Sequence, residues 1–441
     1  MSDLFPTAAA PAATEPETAS EPVFLLFSKK QVVEVNGEEI KINGAVPATL
    51  PDGITPQAYA EQYARSAYER YLRDCLMADN LIVLTGAGSS IFDDNSGGLS
   101  MRGLWAEAKK LLNGTAETGG FEKFCELVHF YETSENIETL LTHAELFINY
   151  NKNMPTKPGE TNETLEFVTS NTKKIKRLIL NKCDFADKKP GSTFNENTHL
   201  QFLKNLSYRK NRLSRPKVFT TNYDRTFEVA AASGGFITID GFSFDSRRCF
   251  NGKFFDYDIV LTKNNRVTTE DNFAPNVIHL YKLHGSVDWF QEGKAIIQRS
   301  APSADALPLM IFPNRDKFQL SYDQPYFEMM SRFQNELRKS GSTTLIIIGF
   351  SFGDNHINRV IEEALRHNAF LKIIVIDKFL KLPFADGQQP QKFLQTKASE
   401  TEQVLFIREA FTDFVKFMPS PRERGVEIFG ENDDSRHREQ D

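Results

Sequence analysis

At 441 residues, with 40% hydrophobic and 25% charged side chains, the chain has the composition of a soluble globular protein. It is long enough for one large α/β core plus an insertion, or for two domains. A formal net charge of −7 and a pI near 5.8 exclude a global basic field for nucleic acid and leave only a local patch or a partner for that purpose.

The four cysteines, Cys75, Cys125, Cys183 and Cys249, are widely separated and make no CxxC pair. That spacing argues against a zinc ribbon or a disulfide framework and suits a reducing compartment. No basic-then-apolar signal pattern opens the chain, and no apolar run approaches the roughly 18 residues of a bilayer span. The expectation is a cytoplasmic protein with no membrane contact.

Taken in order, residues 1–21 are Ala, Pro, Thr and Glu-rich, offer almost nothing to bury, and read as disordered. Residues 22–54 carry two arms of apolar sequence around Asn36-Gly37, a β-hairpin extension. Its apolar arm, Val23 to Phe27, must pack on the main domain or on a neighbouring subunit. From Thr55 to Met77 the apolar spacing is helical. Leu81 to Leu84 then form a buried strand entering Thr85-Gly86-Ala87-Gly88-Ser89-Ser90. A strand that runs into a glycine pair lets backbone N–H groups approach a pyrophosphate, although ordinary strand-to-helix turns look the same.

Residues 102–213 are mostly helical and polar, a helical insertion with a Pro/Gly/Thr-rich loop at 153–164 and helix starts at Ser134 and Thr198. Its His129, His143 and His199 lack metal-ligand spacing and read as surface or core histidines. Strands resume at Lys217 to Thr220, at Val277 to Leu283, at Leu345 to Ile348 and at Leu371 to Ile376, with helices at Arg225 to Ala232, at 325–339 and at Asn355 to His367. Apolar strands alternating with helices imply a Rossmann-like doubly wound parallel sheet covered on both faces. The main domain is thus 55–101 with 214–418, and 419–441 is a charged tail.

Polar and glycine signals sit at the carboxyl ends of these strands: Gly86 and Gly88, Asn222 and Asp224, His284, Gly349 and Ser351, and Asp377. In a doubly wound sheet those ends share one edge, where nucleotides bind at the topological switch point. Taken singly each has a structural reading too. Asp224 suits a helix cap, Asn222 a turn, His284-Gly285 a strand-ending turn, and Ser351 and Gly353 a loop before a helix capped by Asp354.

The ordered set GAGSS, TTNYD, LHG, GFSFGD and VID resembles the sirtuin fold, over residues 80–101 and 214–380. It is closer to the sirtuin-like domains of bacterial antiphage-defence proteins, the type paired with a HerA-like ATPase, than to protein deacetylases. The resemblance implies NAD as substrate. Gly86, Ala87 and Gly88 would line its pyrophosphate and Ser90 would sit near the ribose phosphate. Asn222 would hold the nicotinamide ribose and the attacking water, Asp224 the carboxamide, and His284 would act as base. Gly349 and Ser351 would hold the adenosine phosphate and ribose, and Asp377, where the family often has Asn, the adenosine ribose.

Two departures bear on the reaction. The four-cysteine zinc module of the deacetylases has no counterpart in this sequence, so no zinc is expected, and the interval from Asn222 to His284 is long. Both put an acetyl-lysine groove in doubt and favour water as acceptor. The implied activity is NAD⁺ glycohydrolysis serving antiphage defence by NAD depletion. It would be regulated by a partner or by assembly, as a homo-oligomer and with a hexameric HerA-type ATPase or another sensor. A catalytically silent NAD- or ADP-ribose-binding scaffold and an NAD-dependent deacylase are the alternatives. A nuclease would need a carboxylate cluster with metal geometry, which the sequence lacks.

Overall fold

The computed structural model describes residues 22–91, 97–114, 119–131, 135–152, 163–186, 196–209, 213–261, 273–299, 308–310 and 324–419. The segment expected to be disordered at 1–21, all but the first residue of the charged tail at 419–441, the helix start at Ser134 and most of the 153–164 loop lie outside them.

The chain opens with β1 (Val23–Phe27), β2 (Val32–Asn36) and β3 (Glu39–Ile42), three antiparallel strands where the sequence suggested a two-stranded hairpin. Gly37 takes the β2–β3 turn at φ +60°. Helix α1 (Pro56–Leu76) starts where its sequence dictates: Thr55 accepts a hydrogen bond from Ala58 N and Pro56 occupies the first turn. β4 (Asn80–Thr85) is buried throughout. The helical block follows as α2 (Met101–Asn113), α3 (Gly120–Leu127), α4 (Ile137–Lys152), α5 (Glu163–Cys183) and α6 (Glu196–Ser207). Then come β5 (Lys217–Thr220), α7 (Thr226–Ser233), β6 (Ile237–Ile239), β7 (Val277–Lys282) and a small hairpin of β8 (Trp289–Glu292) and β9 (Ala295–Gln298). The last part is α8 (Tyr326–Leu337), β10 (Thr343–Ile348), α9 (Asn355–His367), β11 (Leu371–Ile376), α10 (Gln389–Glu400), β12 (Val404–Ile407) and α11 (Phe411–Lys416).

Among the described residues, ten strands form one sheet in the order β3-β2-β1-β12-β11-β10-β4-β5-β7-β6. From β12 to β6 all neighbours are parallel; β1 joins β12 antiparallel, with Leu26 opposite Ile407. The N-terminal arm therefore packs on its own main domain and extends the sheet. Successive residues of each strand feed opposite faces, as the period-2 pleat requires. Leu81, Val83, Ile346, Ile374 and Leu405 enter a core under α1, α6, α7 and α11, whereas Ile82, Leu84, Ile347, Val375 and Phe406 enter another under α8, α9 and α10. That two-sided burial is why the strands are mostly apolar on both faces.

Helices α2 to α5 build a third core. The periodic Ile137, Leu140, Leu141, Ala144 and Ile148 of α4 are all buried in it, and it reaches Val287 and Tyr223 at the carboxyl edge of the sheet. Helix α6 begins two residues before the expected Thr198 and packs elsewhere: its Phe202, Leu203 and Leu206 lie in the sheet core with Phe227 and Phe411. No helix among the described residues is long and apolar enough to cross a membrane.

Candidate active site

The chain leaves β4 toward β5 on one side and returns to β10 on the other, so the switch point lies between β4 and β10. The loops after these two strands meet there. Gly86 N donates to Ile348 O at 3.0 Å and Gly88 N to Gly349 O at 2.9 Å. A Cβ on Gly86 would stand 2.7 Å from Gly349 O, one on Gly88 2.7 Å from Gly349 Cα, and one on Gly349 2.5 Å from Gly88 Cα. Gly349 also has φ +57°, a left-handed conformation. The glycines are thus demanded by the contact between two loops. The amides of Gly86 and Gly88, expected from sequence to face a pyrophosphate, are engaged with protein carbonyls; Ala87 and Gly88 lie exposed above them.

Asn222 follows β5, the strand beside β4. Its side-chain nitrogen reaches Gly86 O at 3.0 Å, Ser90 Oγ at 2.9 Å and Ser89 Oγ at 3.2 Å. A backbone carbonyl can only accept, so the amide nitrogen must face it and Oδ1 faces away. Oδ1 receives no hydrogen bond from the described residues. Ser89, which the sequence reading left out, is fully buried and donates to Gly86 O at 2.9 Å.

His284 ends the turn after β7. Its Nε2 lies 3.0 Å from Asp354 Oδ2, and both side chains are buried. Asp354 caps α9 as expected, its Oδ1 accepting from His356 N at 2.9 Å and Ile357 N at 3.3 Å. The second oxygen is what sequence reasoning missed. One carboxylate both starts a helix and orients the imidazole. In the neutral ring, the nitrogen facing that carboxylate is the protonated one.

Asp224 is buried, and its Oδ1 accepts from Thr226 N at 3.0 Å and Thr226 Oγ1 at 2.6 Å, at the start of α7. Ser351 is exposed, its carbonyl accepting from Gln391 Nε2 at 3.3 Å. Phe352 beside it has φ +58°, a strained setting for a bulky residue, in the loop that leads to Asp354. Asp377 closes the turn after β11, accepting from Phe379 N at 2.8 Å.

Of the three histidines in the helical block, His199 is fully buried between Phe227 and Phe411. Burial drives its pKa down to about 4, with the Asp224 carboxylate pulling the other way. His143 is held by Val128 O at 3.2 Å. Cys75, Cys125 and Cys183 lie on α1, α3 and α5 and Cys249 in the loop between β6 and β7, all as free thiols; burial raises Cys75 and Cys125 to about 11 and Cys183 to about 12, which disfavours thiolate chemistry. Among the described residues no His, Cys, Asp and Glu group is arranged to hold a metal ion.

Residues 216–407 match the family model of the SIR2-like domain. The matched region runs from β5 to β12 and spans less than half of the chain. The SIR2-like region contains Asn222, Asp224, His284, Gly349, Ser351, Asp354 and Asp377, while the glycine turn at 86–90 precedes it in sequence and joins it through the β4–β10 contact. Among solved structures, a mutant Sir2 homologue in complex with ADP ribose shows 13% identity over 81% of this chain and 96% of its own, with a TM-score of 0.35. A cytosolic 5'-nucleotidase IIIB bound to cytidine shows 11% identity over 82% and 93%, with a TM-score of 0.26. No curated protein matches the chain in sequence.

Proposed function

We propose that the protein binds NAD⁺ at the carboxyl edge of the sheet and hydrolyses its nicotinamide–ribose bond, releasing nicotinamide and ADP-ribose. The observation that carries this reading is the pairing of His284, after β7, with Asp354, after β10, across the switch point, together with Asn222, after β5, anchored to Gly86 and Ser90. A SIR2-like domain makes NAD the cofactor class to test first.

The chemistry needs little more. Nicotinamide leaves as a neutral molecule from a cationic ring, and the ribose gains oxocarbenium character as in glycoside cleavage. Asn222 Oδ1 is then the acceptor for a ribose hydroxyl or for water, while its nitrogen stays fixed to the protein. His284 takes the proton from the attacking oxygen, and Asp354 stabilises the imidazolium that forms. Asp224, Ser351 and Asp377 are assigned to the carboxamide, adenosine-phosphate and adenosine-ribose ends. Water is the proposed acceptor because the cysteines that would build a deacylase zinc module are scattered over three helices and a loop.

In the same reading NAD⁺ loss serves antiphage defence, with activity restrained by homo-oligomer assembly or by a HerA-type ATPase partner. The test is incubation of the purified protein with NAD⁺, alone and with a co-expressed partner, followed by chromatography of the products. Nicotinamide and ADP-ribose in equal amounts, lost in Asn222→Ala and His284→Ala, are expected. NAD⁺ or ADP-ribose binding without nicotinamide under every condition would replace the hydrolase by a silent binding subunit.

A further inference from the structure

β7 is buried at every position, yet it ends in a lysine: Lys282 is 2% exposed. An ammonium is stable there only if its N–H groups are used and its charge is paired. Lys282 Nζ donates to the carbonyl of Asp224 and to Tyr223 O at 3.3 Å, and it pairs with Glu228 Oε1 at 2.9 Å. Glu228 stands in the first turn of α7, directly after the loop that carries Asn222. Burial pushes its carboxyl up and Lys282 draws it back. The Tyr223 carbonyl also accepts from Val287 N at 3.1 Å and lies 3.4 Å from Ser286 Oγ.

The loop bearing Asn222 is therefore fastened, at the two residues that follow it, to the strand and turn that bear His284. Asn222 itself is held from the opposite side by Gly86 and Ser90. Lys282 lies two residues before His284, so one strand end sets both groups. Pairing with Glu228 alone would not require contact with the Tyr223 and Asp224 carbonyls.

We propose that Lys282, with Glu228 as its counter-ion, is a positioning residue that fixes the Asn222 loop relative to His284. Apart from its counter-ion Glu228, its hydrogen-bond partners among the described residues are the backbone oxygens of Tyr223 and Asp224, so it acts through Asn222. The proposal rests on the hydrolase reading for its kinetic consequence but not for its structural one.

The experiment compares wild type with Lys282→Met, Lys282→Arg and Glu228→Gln by amide hydrogen exchange over residues 220–226 and by NAD⁺ kinetics. In folded Lys282→Met, exchange over 220–226 should rise about tenfold with the other sheet segments unchanged. Its kcat should fall about 100-fold with KM held within about threefold, the mark of displaced geometry and not of lost binding. Lys282→Arg, which keeps a cation and donors, should recover most of both losses. If Lys282→Met does not fold, Glu228→Gln carries the test with the same segment loosened. Unchanged protection over 220–226 in a folded variant overturns the proposal. A wild type that releases no nicotinamide sinks the hydrolase reading instead, and the exchange measurement still decides the role of Lys282.

Discussion

Two oxygens of one carboxylate divide the work at the centre of the site. Asp354 Oδ1 starts α9 and Oδ2 faces His284. Asn is as good a helix cap as Asp, so Asp354→Asn keeps the helix and removes only the charge and the acceptor facing the ring. The expected result is an unchanged melting temperature with nicotinamide release reduced about 100-fold or more, because the amide favours the wrong imidazole tautomer. His284→Ala should cost about 10²–10⁴-fold. Turnover equal to wild type in Asp354→Asn would show that the pairing does not serve catalysis.

Two other histidines bear on stability. Burial holds His199 down to about 4 and His279 down to about 3, the latter helped by the Lys217 and Arg215 charges. Their unfolded values lie near 6.5. The unfolded chain therefore binds more protons between these limits, so this stability is complete above pH 6.5 and is lost as pH falls toward 4. Each histidine should remove about 1.4 kcal/mol per pH unit across that window. Urea midpoints at pH 7.5, 6 and 5 should show a shallower loss in His279→Gln than in wild type; parallel curves would refute the assignment.

At the scale of elements, the contrast between two glycines is informative. Gly37 and Gly349 share a left-handed φ, +60° and +57°, but a Cβ on Gly37 meets nothing within 4 Å while one on Gly349 meets the Gly88 backbone. Gly37→Ala should cost about 1–2 kcal/mol, the conformational penalty alone. Gly349→Ala must also part the two loops at the switch point, so its loss in urea denaturation should be clearly larger and nicotinamide release should fall with it. The motif residues were legible in sequence because strands end in glycine and polar residues for few reasons. The glycine purpose was not, since it depends on a neighbour more than 250 residues away along the chain.

For the whole molecule, the N-terminal arm is part of the main sheet. β1 covers the edge of β12, and Leu26, Val33, Val35 and Ile40 are buried in the core beneath α1. Removing residues 22–54 would expose that edge and forfeit about 1.5–3 kcal/mol for each of those side chains. The expected outcome is a lowered melting temperature and aggregation seen by light scattering. A deletion that changes oligomer size and leaves the melting temperature intact would instead make the arm an assembly element. The helical block, whose core meets Tyr223 and Val287 and whose Asp184 pairs with Arg225 at 3.1 Å, is tied to the Asn222 and His284 loops in the same covalent unit.

By itself the sequence determined the strand and helix periods, the glycine and polar signals at strand ends, and hence a parallel α/β sheet with those signals along one edge. Local physics suffices there, because burial on two faces writes apolar runs and capping writes Thr55 and Asp354. Tertiary structure alone decided which signals meet: Asp354 with His284, Asn222 with Ser90, Lys282 with Glu228, and Gly88 with Gly349. Those pairings join residues from separate strands, and nothing in the spacing of a chain encodes which strand ends lie side by side. Strand order does, and it is set by how the two cores pack.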